Sequence, residues 1–102
     1  MSSAQHEQIV RDMIKFYSEK GYKTLNLNNK CPDGIAVRVV NGEIEISAIE
    51  VLGMQYNSKK GWKAQWTISA KKSIYCMFDK LIVIAFKRGE DSPLKHDEYK
   101  IK

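Results

Sequence analysis

Asp33 and Glu50 have positions in the 102-residue chain that are typical of a metal site. Between them lies Asn41-Gly42, the strongest two-residue signal for a β-hairpin, because both turn positions need a positive φ. Pairing outward from that turn places Asp33 opposite Glu50, with Cβ atoms about 4.5–5.5 Å apart. Two carboxylates so close repel each other unless a proton or a cation lies between them. A hard divalent ion such as magnesium prefers oxygen ligands of this kind.

A second interpretation of the same two residues stays open. Asp33 follows Pro32 and could cap a turn, while Glu50 could be a surface charge at a strand end. Counting in steps of two places Glu50 on the same face as the apolar residues Ile44, Ile46 and Ala48.

The second half of the chain carries the positive charge. Residues 1–50 hold 6 basic and 7 acidic side chains, whereas residues 51–102 hold 11 basic and 5 acidic side chains. Between Val51 and Phe78 there is no acid, and Tyr56, Trp62 and Trp66 share this stretch with Lys59, Lys60, Lys63, Lys71 and Lys72. Lysines neutralise phosphates and aromatic rings stack on unpaired bases, so the stretch predicts nucleic-acid binding. The alternative is a solvated loop with both tryptophans in the core.

The elements that must position these residues follow from periodicity and breakers. We expect helices at Ala4–Lys20 and Ser69–Phe78, a loop at Gly53–Gly61, and strands at Tyr22–Asn28, Ile35–Val40, Glu43–Leu52 and Leu81–Phe86. A helix that leads into a last apolar strand favours a mixed sheet. The predicted fold is therefore one α/β domain over residues 1–102 with a four-stranded mixed sheet. Its core covers residues 4–88, and a polar tail, residues 89–102, could form a short strand at Tyr99–Ile101.

Composition excludes several classes of protein. With 43% apolar and 28% charged residues, the chain is globular rather than disordered. No apolar run approaches the roughly 18 residues of a membrane span, and the N-terminus has no secretion signal, so we expect a cytoplasmic protein. Cys31 and Cys76 are expected to be reduced thiols, although one disulfide could join them. His6 and His96 are expected to be solvated.

From Glu7 to Arg88 the chain resembles the PD-(D/E)XK nuclease superfamily, and among its small members the archaeal Holliday junction resolvases. The likeness is carried by Pro32-Asp33, by Ile49-Glu50-Val51 and by the order of the elements. It implies a restriction-endonuclease-like core that cleaves DNA, with magnesium or manganese held by Asp33 and Glu50. It also implies that two copies of the chain form a dimer.

The resemblance further implies that Glu7, in the first helix, joins the metal site. A glutamate at a helix start is also favourable by itself, because it interacts with the helix dipole.

The chain departs from the family motif at Leu52, where active members have a lysine that activates the attacking water and stabilises the transition state. Some divergent members supply this lysine from a neighbouring element, and Lys63 and Lys72 are the expected substitutes here. A metal-dependent nuclease is the first hypothesis. The others are an inactive, nuclease-like protein that binds nucleic acid and a protein-interaction domain with Trp62 and Trp66 as its hot spot.

Overall fold

A computed structural model of the chain describes residues 4–28, 30–64, 75–91 and 94–101. These residues form one α/β domain in which a helix packs on a mixed sheet. The helix is α1 (Ala4–Glu19), and the strands are β1 (Lys23–Asn26), β2 (Gly34–Val40), β3 (Glu43–Asn57), β4 (Gly61–Ala64), β5 (Lys80–Lys87) and β6 (Lys95–Lys100). Among the described residues, no helix has both the length and the apolar character that a membrane crossing needs.

The sheet has the order β1-β2-β3-β5-β6, and β4 pairs with β3 alone. Strands β3 and β5 are parallel and the other neighbours antiparallel, so the predicted mixed sheet is confirmed. The β2–β3 register is also as predicted and runs from Val40 opposite Glu43 to Gly34 opposite Ile49. At the turn, Asn41 and Gly42 both have positive φ, 52° and 79°.

The prediction of four strands was wrong, because the described residues form six. The expected loop at 53–61 is instead the last part of β3, a tight turn and the start of β4. Strand β6 lies in the polar tail and pairs with β5 from Lys80–Lys100 to Ala85–Lys95. The predicted second helix falls mostly on residues 65–74, which lie outside the described residues.

Helix α1 covers one face of the sheet with an apolar stripe, as its periodicity predicts. The stripe packs against residues of the three central strands and consists of Ile9, Val10, Met13 and Tyr17. Gly34 allows the close approach of the helix, because a Cβ atom there would lie 2.8 Å from Ile14 Cδ1 and 3.2 Å from the Leu25 carbonyl oxygen. The opposite face holds a second apolar cluster of Ala48, Tyr75, Phe78, Leu81 and Val83.

Strand β6 has few apolar residues, and polar contacts hold it to the domain. The Tyr17 hydroxyl donates to Glu98 Oε2 at 3.0 Å and lies 2.7 Å from His96 Nε2, while Lys80 Nζ donates to Glu98 Oε1 at 2.7 Å. Burial and the hydrogen bond to Glu98 raise the pKa of Tyr17 well above its usual value. Burial would also raise the pKa of Glu98, but the hydrogen bonds from Lys80 and Tyr17 outweigh it and hold that pKa below its ordinary value. His96 is exposed, as expected, but it belongs to this network.

Candidate functional site

Asp33 is fixed between two strands at the point where β2 begins. Its backbone carbonyl accepts a hydrogen bond from the Leu27 N–H at 2.9 Å, which attaches it to the chain after β1. Its Oδ2 accepts a hydrogen bond from the Val51 N–H at 2.8 Å, which attaches it to β3. The residue is only 6% exposed. Its carboxylate is therefore both oriented and largely removed from water.

His6, in the first turn of α1, forms a hydrogen bond with the Val51 backbone carbonyl. The regular β2–β3 pairing stops at Gly34, and continuing its register would bring Pro32 opposite Val51. Proline has no N–H to donate to the Val51 carbonyl. His6 supplies the missing donor, because its Nε2 lies 3.0 Å from that oxygen, and Nε2 is also 3.5 Å from Asp33 Oδ2.

The expectation that His6 is solvated was wrong, because its side chain is only 15% exposed. Its role depends on how α1 sits on the sheet, which a single sequence does not show. One signal was present: a proline opposite Val51 means that another group must donate to the Val51 carbonyl.

Glu50 lies on the opposite side of β3 from α1. Its neighbours Ile49 and Val51 belong to the helix-side cluster and Ala48 to the other one, so alternation directs Glu50 away from the helix. Glu50 is 3% exposed, which excludes the interpretation as a surface charge. The Cys31 thiol lies 3.6 Å from its Oε1 and donates to it. Cys31 and Cys76 are exposed thiols and form no disulfide.

Asp33 lies one residue before β2, and continuing the register past the pair Gly34–Ile49 brings it opposite Glu50. Such positions hold Cβ atoms roughly 4.5–5.5 Å apart. Among the described residues, no group of three or more histidine, cysteine or acidic side chains is placed to hold a metal. Magnesium needs fewer protein ligands, since it keeps several waters and is often bound by one or two carboxylates. Carboxylates are ligands that suit such an ion, whereas a structural zinc takes four ligands, mostly cysteine and histidine.

Glu7 was expected to be a third ligand. In the structure it borders a depression next to β1, together with Val10, Arg11, Asn26 and Asn28. Since the described residues contain no group of three such ligands, Glu7 does not join Asp33 and Glu50 in one site.

Of the two lysines predicted to serve catalysis, Lys63 lies within the described residues and Lys72 does not. Leu52, at the motif position, is half-buried and packs against the apolar cluster on the Glu50 side of the sheet. Lys63 stands on β4 opposite Gln55, five residues beyond Glu50. That spacing is about 16 Å along the strand, so the prediction that Lys63 lies beside the carboxylates was wrong. Lys71, Lys72 and Trp66 lie outside the described residues.

The other residues predicted to bind nucleic acid lie together at the end of β3, in the turn that follows it and on β4. Lys59 and Lys60 lie in the turn between β3 and β4, and Trp62 and Lys63 follow on β4. Tyr56 stands opposite Trp62. Lys87, at the end of β5, places its Nζ 5.4 Å from the centroid of the Trp62 ring. Sequence reasoning missed Lys87, because it comes from a distant strand.

Comparison with protein-family models, with curated proteins and with solved structures finds no match for the chain. Its function must therefore be inferred from its own residues and their geometry.

Proposed function

We propose that the protein is a metal-dependent nuclease that hydrolyses phosphodiester bonds in DNA. One observation carries the proposal: Asp33, one residue before β2, and Glu50, on β3, continue the register of the pair Gly34–Ile49 and are 6% and 3% exposed. Two buried carboxylates in this register favour a cation between them.

Asp33 and Glu50 would hold magnesium or manganese, which suit carboxylate and water ligands. When bound, such an ion polarises the phosphoryl oxygen and lowers the pKa of a bound water. The protein contributes orientation to this chemistry. The Val51 N–H holds one oxygen of Asp33, and His6 holds the Val51 carbonyl, so the carboxylate has little freedom to turn away.

A cation is also needed for the charge that develops on the phosphate, and Leu52 cannot provide it. Lys72, the second lysine expected from the sequence, lies outside the described residues, and we keep it as the candidate for this charge.

The order of the strands also supports the proposal. A hairpin of β2 and β3 followed by a parallel β5 is the arrangement that the resemblance to PD-(D/E)XK nucleases implies. We infer that the sheet is a restriction-endonuclease-like core to which β4 and β6 have been added.

The test is cleavage of plasmid and branched DNA with magnesium or manganese. The wild type should cut, and Glu50→Gln and Lys72→Ala should lower the rate by orders of magnitude with little loss of binding. Glu43→Gln is the matched control, since Glu43 is an exposed glutamate at the other end of the same strand. A wild type that cuts nothing, or a Glu50→Gln variant as fast as the control, contradicts the proposal.

A second candidate function is nucleic-acid binding without cleavage. The specific observation in its favour is Leu52, which fills the motif lysine position with an apolar side chain packed in a cluster. In that case the wild type binds DNA with a steep salt dependence but does not cut it. Binding of a protein partner through the tryptophans would instead depend little on salt.

A further inference from the structure

Residues 55–64 form an arm, which we define as the end of β3, the following turn and β4. The pairing of β3 with β2 ends at Ile49, and its pairing with β5 ends at Met54 opposite Lys87. Beyond Met54, β4 is the only neighbour of β3 among the described residues. The arm therefore extends past the rest of the sheet as a two-stranded ribbon.

The turn of the arm is held by Asn57. Its Oδ1 accepts hydrogen bonds from the backbone N–H groups of Lys59 at 2.8 Å and Lys60 at 3.2 Å. Gly61 follows with a φ of 73°, which favours glycine. Two exposed lysines are thus presented at the tip by a hydrogen-bonded turn.

Two aromatic rings lie side by side behind this tip. Tyr56 and Trp62 are cross-strand partners with ring centroids 5.6 Å apart and planes inclined by 63°. Trp62 is half-buried and has the Lys87 ammonium on its ring, whereas Tyr56 is 64% exposed. Tyr56 therefore offers an open aromatic surface that is supported from behind.

The surroundings of the rings are positive. Lys59, Lys60, Lys63 and Lys87 form no ion pair with an acid in the part of the chain that the structure describes. Arg88 lies across Gly53, where a Cβ atom would be 2.6 Å from the Arg88 Nε. Proteins bind single-stranded nucleic acid through positive charge along its backbone and aromatic rings on which its bases stack.

We propose that the arm binds nucleic acid through unpaired bases, with a base stacked on Tyr56 and the neighbouring phosphates on Lys59, Lys60 and Lys63. Inside a duplex the faces of the bases are covered by their neighbours, so an exposed ring finds no surface to stack on. The substrate class is thus DNA with a single-stranded end, gap or opened branch point. This inference rests on the proposed function in that the ligand is nucleic acid, but it does not need catalysis.

The experiment measures binding of three fluorescent DNA probes by anisotropy, with EDTA present so that no cleavage occurs. The probes are a single strand, a blunt duplex of the same sequence and a duplex with a single-stranded overhang. Tyr56→Ala should weaken binding of the single strand and the overhang by about tenfold, as expected for removal of one stacked base, and should change duplex binding less than about twofold. Tyr56→Phe should bind like the wild type.

Tyr99→Ala is the matched control, since Tyr99 is also exposed but lies on β6, which pairs with β5 and not with the strands of the arm. The inference is overturned if Tyr56→Ala weakens duplex and single-strand binding equally, or changes neither. It is also overturned if binding to all probes is insensitive to salt, which would point to a protein partner. Absence of the Tyr56 effect leaves metal-dependent cleavage untouched, and absence of cleavage leaves the Tyr56 effect untouched, so the two failures are distinguishable.

Discussion

Replacing Glu50 by glutamine should stabilise the protein when no metal is present. The strand register brings Asp33 opposite Glu50, and both residues are nearly excluded from water. Glutamine keeps the size of the side chain and an oxygen that can accept from the Cys31 thiol. The variant therefore removes one of the two negative charges while it keeps the shape of the side chain.

The magnitude follows from the strand register. Two unit charges about 5 Å apart interact by about 3 kcal/mol at an effective dielectric constant of about 20. The neutral glutamine accepts weaker hydrogen bonds than the charged glutamate, which lowers the gain in stability by about 1–1.5 kcal/mol. The expected net gain in the free energy of unfolding is about 1.5–2 kcal/mol, and each kcal/mol raises the Tm of a domain of this size by roughly 4–8 °C.

The assay is urea unfolding followed by circular dichroism, in EDTA at neutral pH. Glu43→Gln, at the exposed end of the same strand, should stay within about 0.5 kcal/mol of the wild type. If Glu50→Gln is less stable than the wild type, or indistinguishable from the Glu43 control, the two carboxylates do not oppose each other and the reasoning fails.

Three further predictions concern other parts of the molecule. His6→Ala leaves the Val51 carbonyl without its donor and should lower the free energy of unfolding by about 1–3 kcal/mol in denaturant titrations, whereas His6→Gln, which keeps a donor, should recover at least half of that decrease. The pKa of Glu98 is lowered in the folded state, so the ionised Glu98 stabilises the protein fully above its ordinary pKa of 4.5, and this stabilisation is lost as the pH falls below that value. Glu98→Gln should therefore flatten the decline of Tm between about pH 5 and pH 3. An unchanged decline would assign acid unfolding to other groups. The three arm lysines are Lys59, Lys60 and Lys63. Replacing them by alanine should reduce the slope of log affinity for DNA against log salt concentration by roughly one unit for each phosphate that the protein no longer neutralises. An unchanged slope would place the DNA-binding surface elsewhere.

The sequence alone predicts the part of the fold that depends on local chemistry. Asn41-Gly42 determines the hairpin because both residues adopt the positive φ of a tight turn, and the β2–β3 register follows from it. The apolar segment from Leu81 to Phe86 forms a buried central strand, as its composition indicates. Helix α1 likewise follows its amphipathic pattern.

The sequence does not predict the parts that depend on distant partners. Gly53 looks like a strand breaker, but β3 continues through it because β5 pairs alongside and Arg88 crosses the space that a side chain would fill. Strand β6 looks like a polar tail, since its attachment depends on Tyr17 and Lys80, far away in the chain.

The candidate site shows the same division. The register that brings Asp33 opposite Glu50 follows from the hairpin turn. The contact of His6 with Val51 depends on how α1 lies on the sheet, and no local pattern reveals it. The distance of Lys63 from the carboxylates depends on the unexpected length of β3.

The most direct test of the two-carboxylate site is a calorimetric titration of the wild type, Glu50→Gln and Glu43→Gln with manganese. If Asp33 and Glu50 hold a divalent ion, the wild type and the Glu43 control bind one manganese with equal affinity, and Glu50→Gln binds at least tenfold more weakly, a difference of about 1.4 kcal/mol. Equal manganese affinity in all three proteins, or no binding by the wild type, would contradict the assignment of this pair as a metal site.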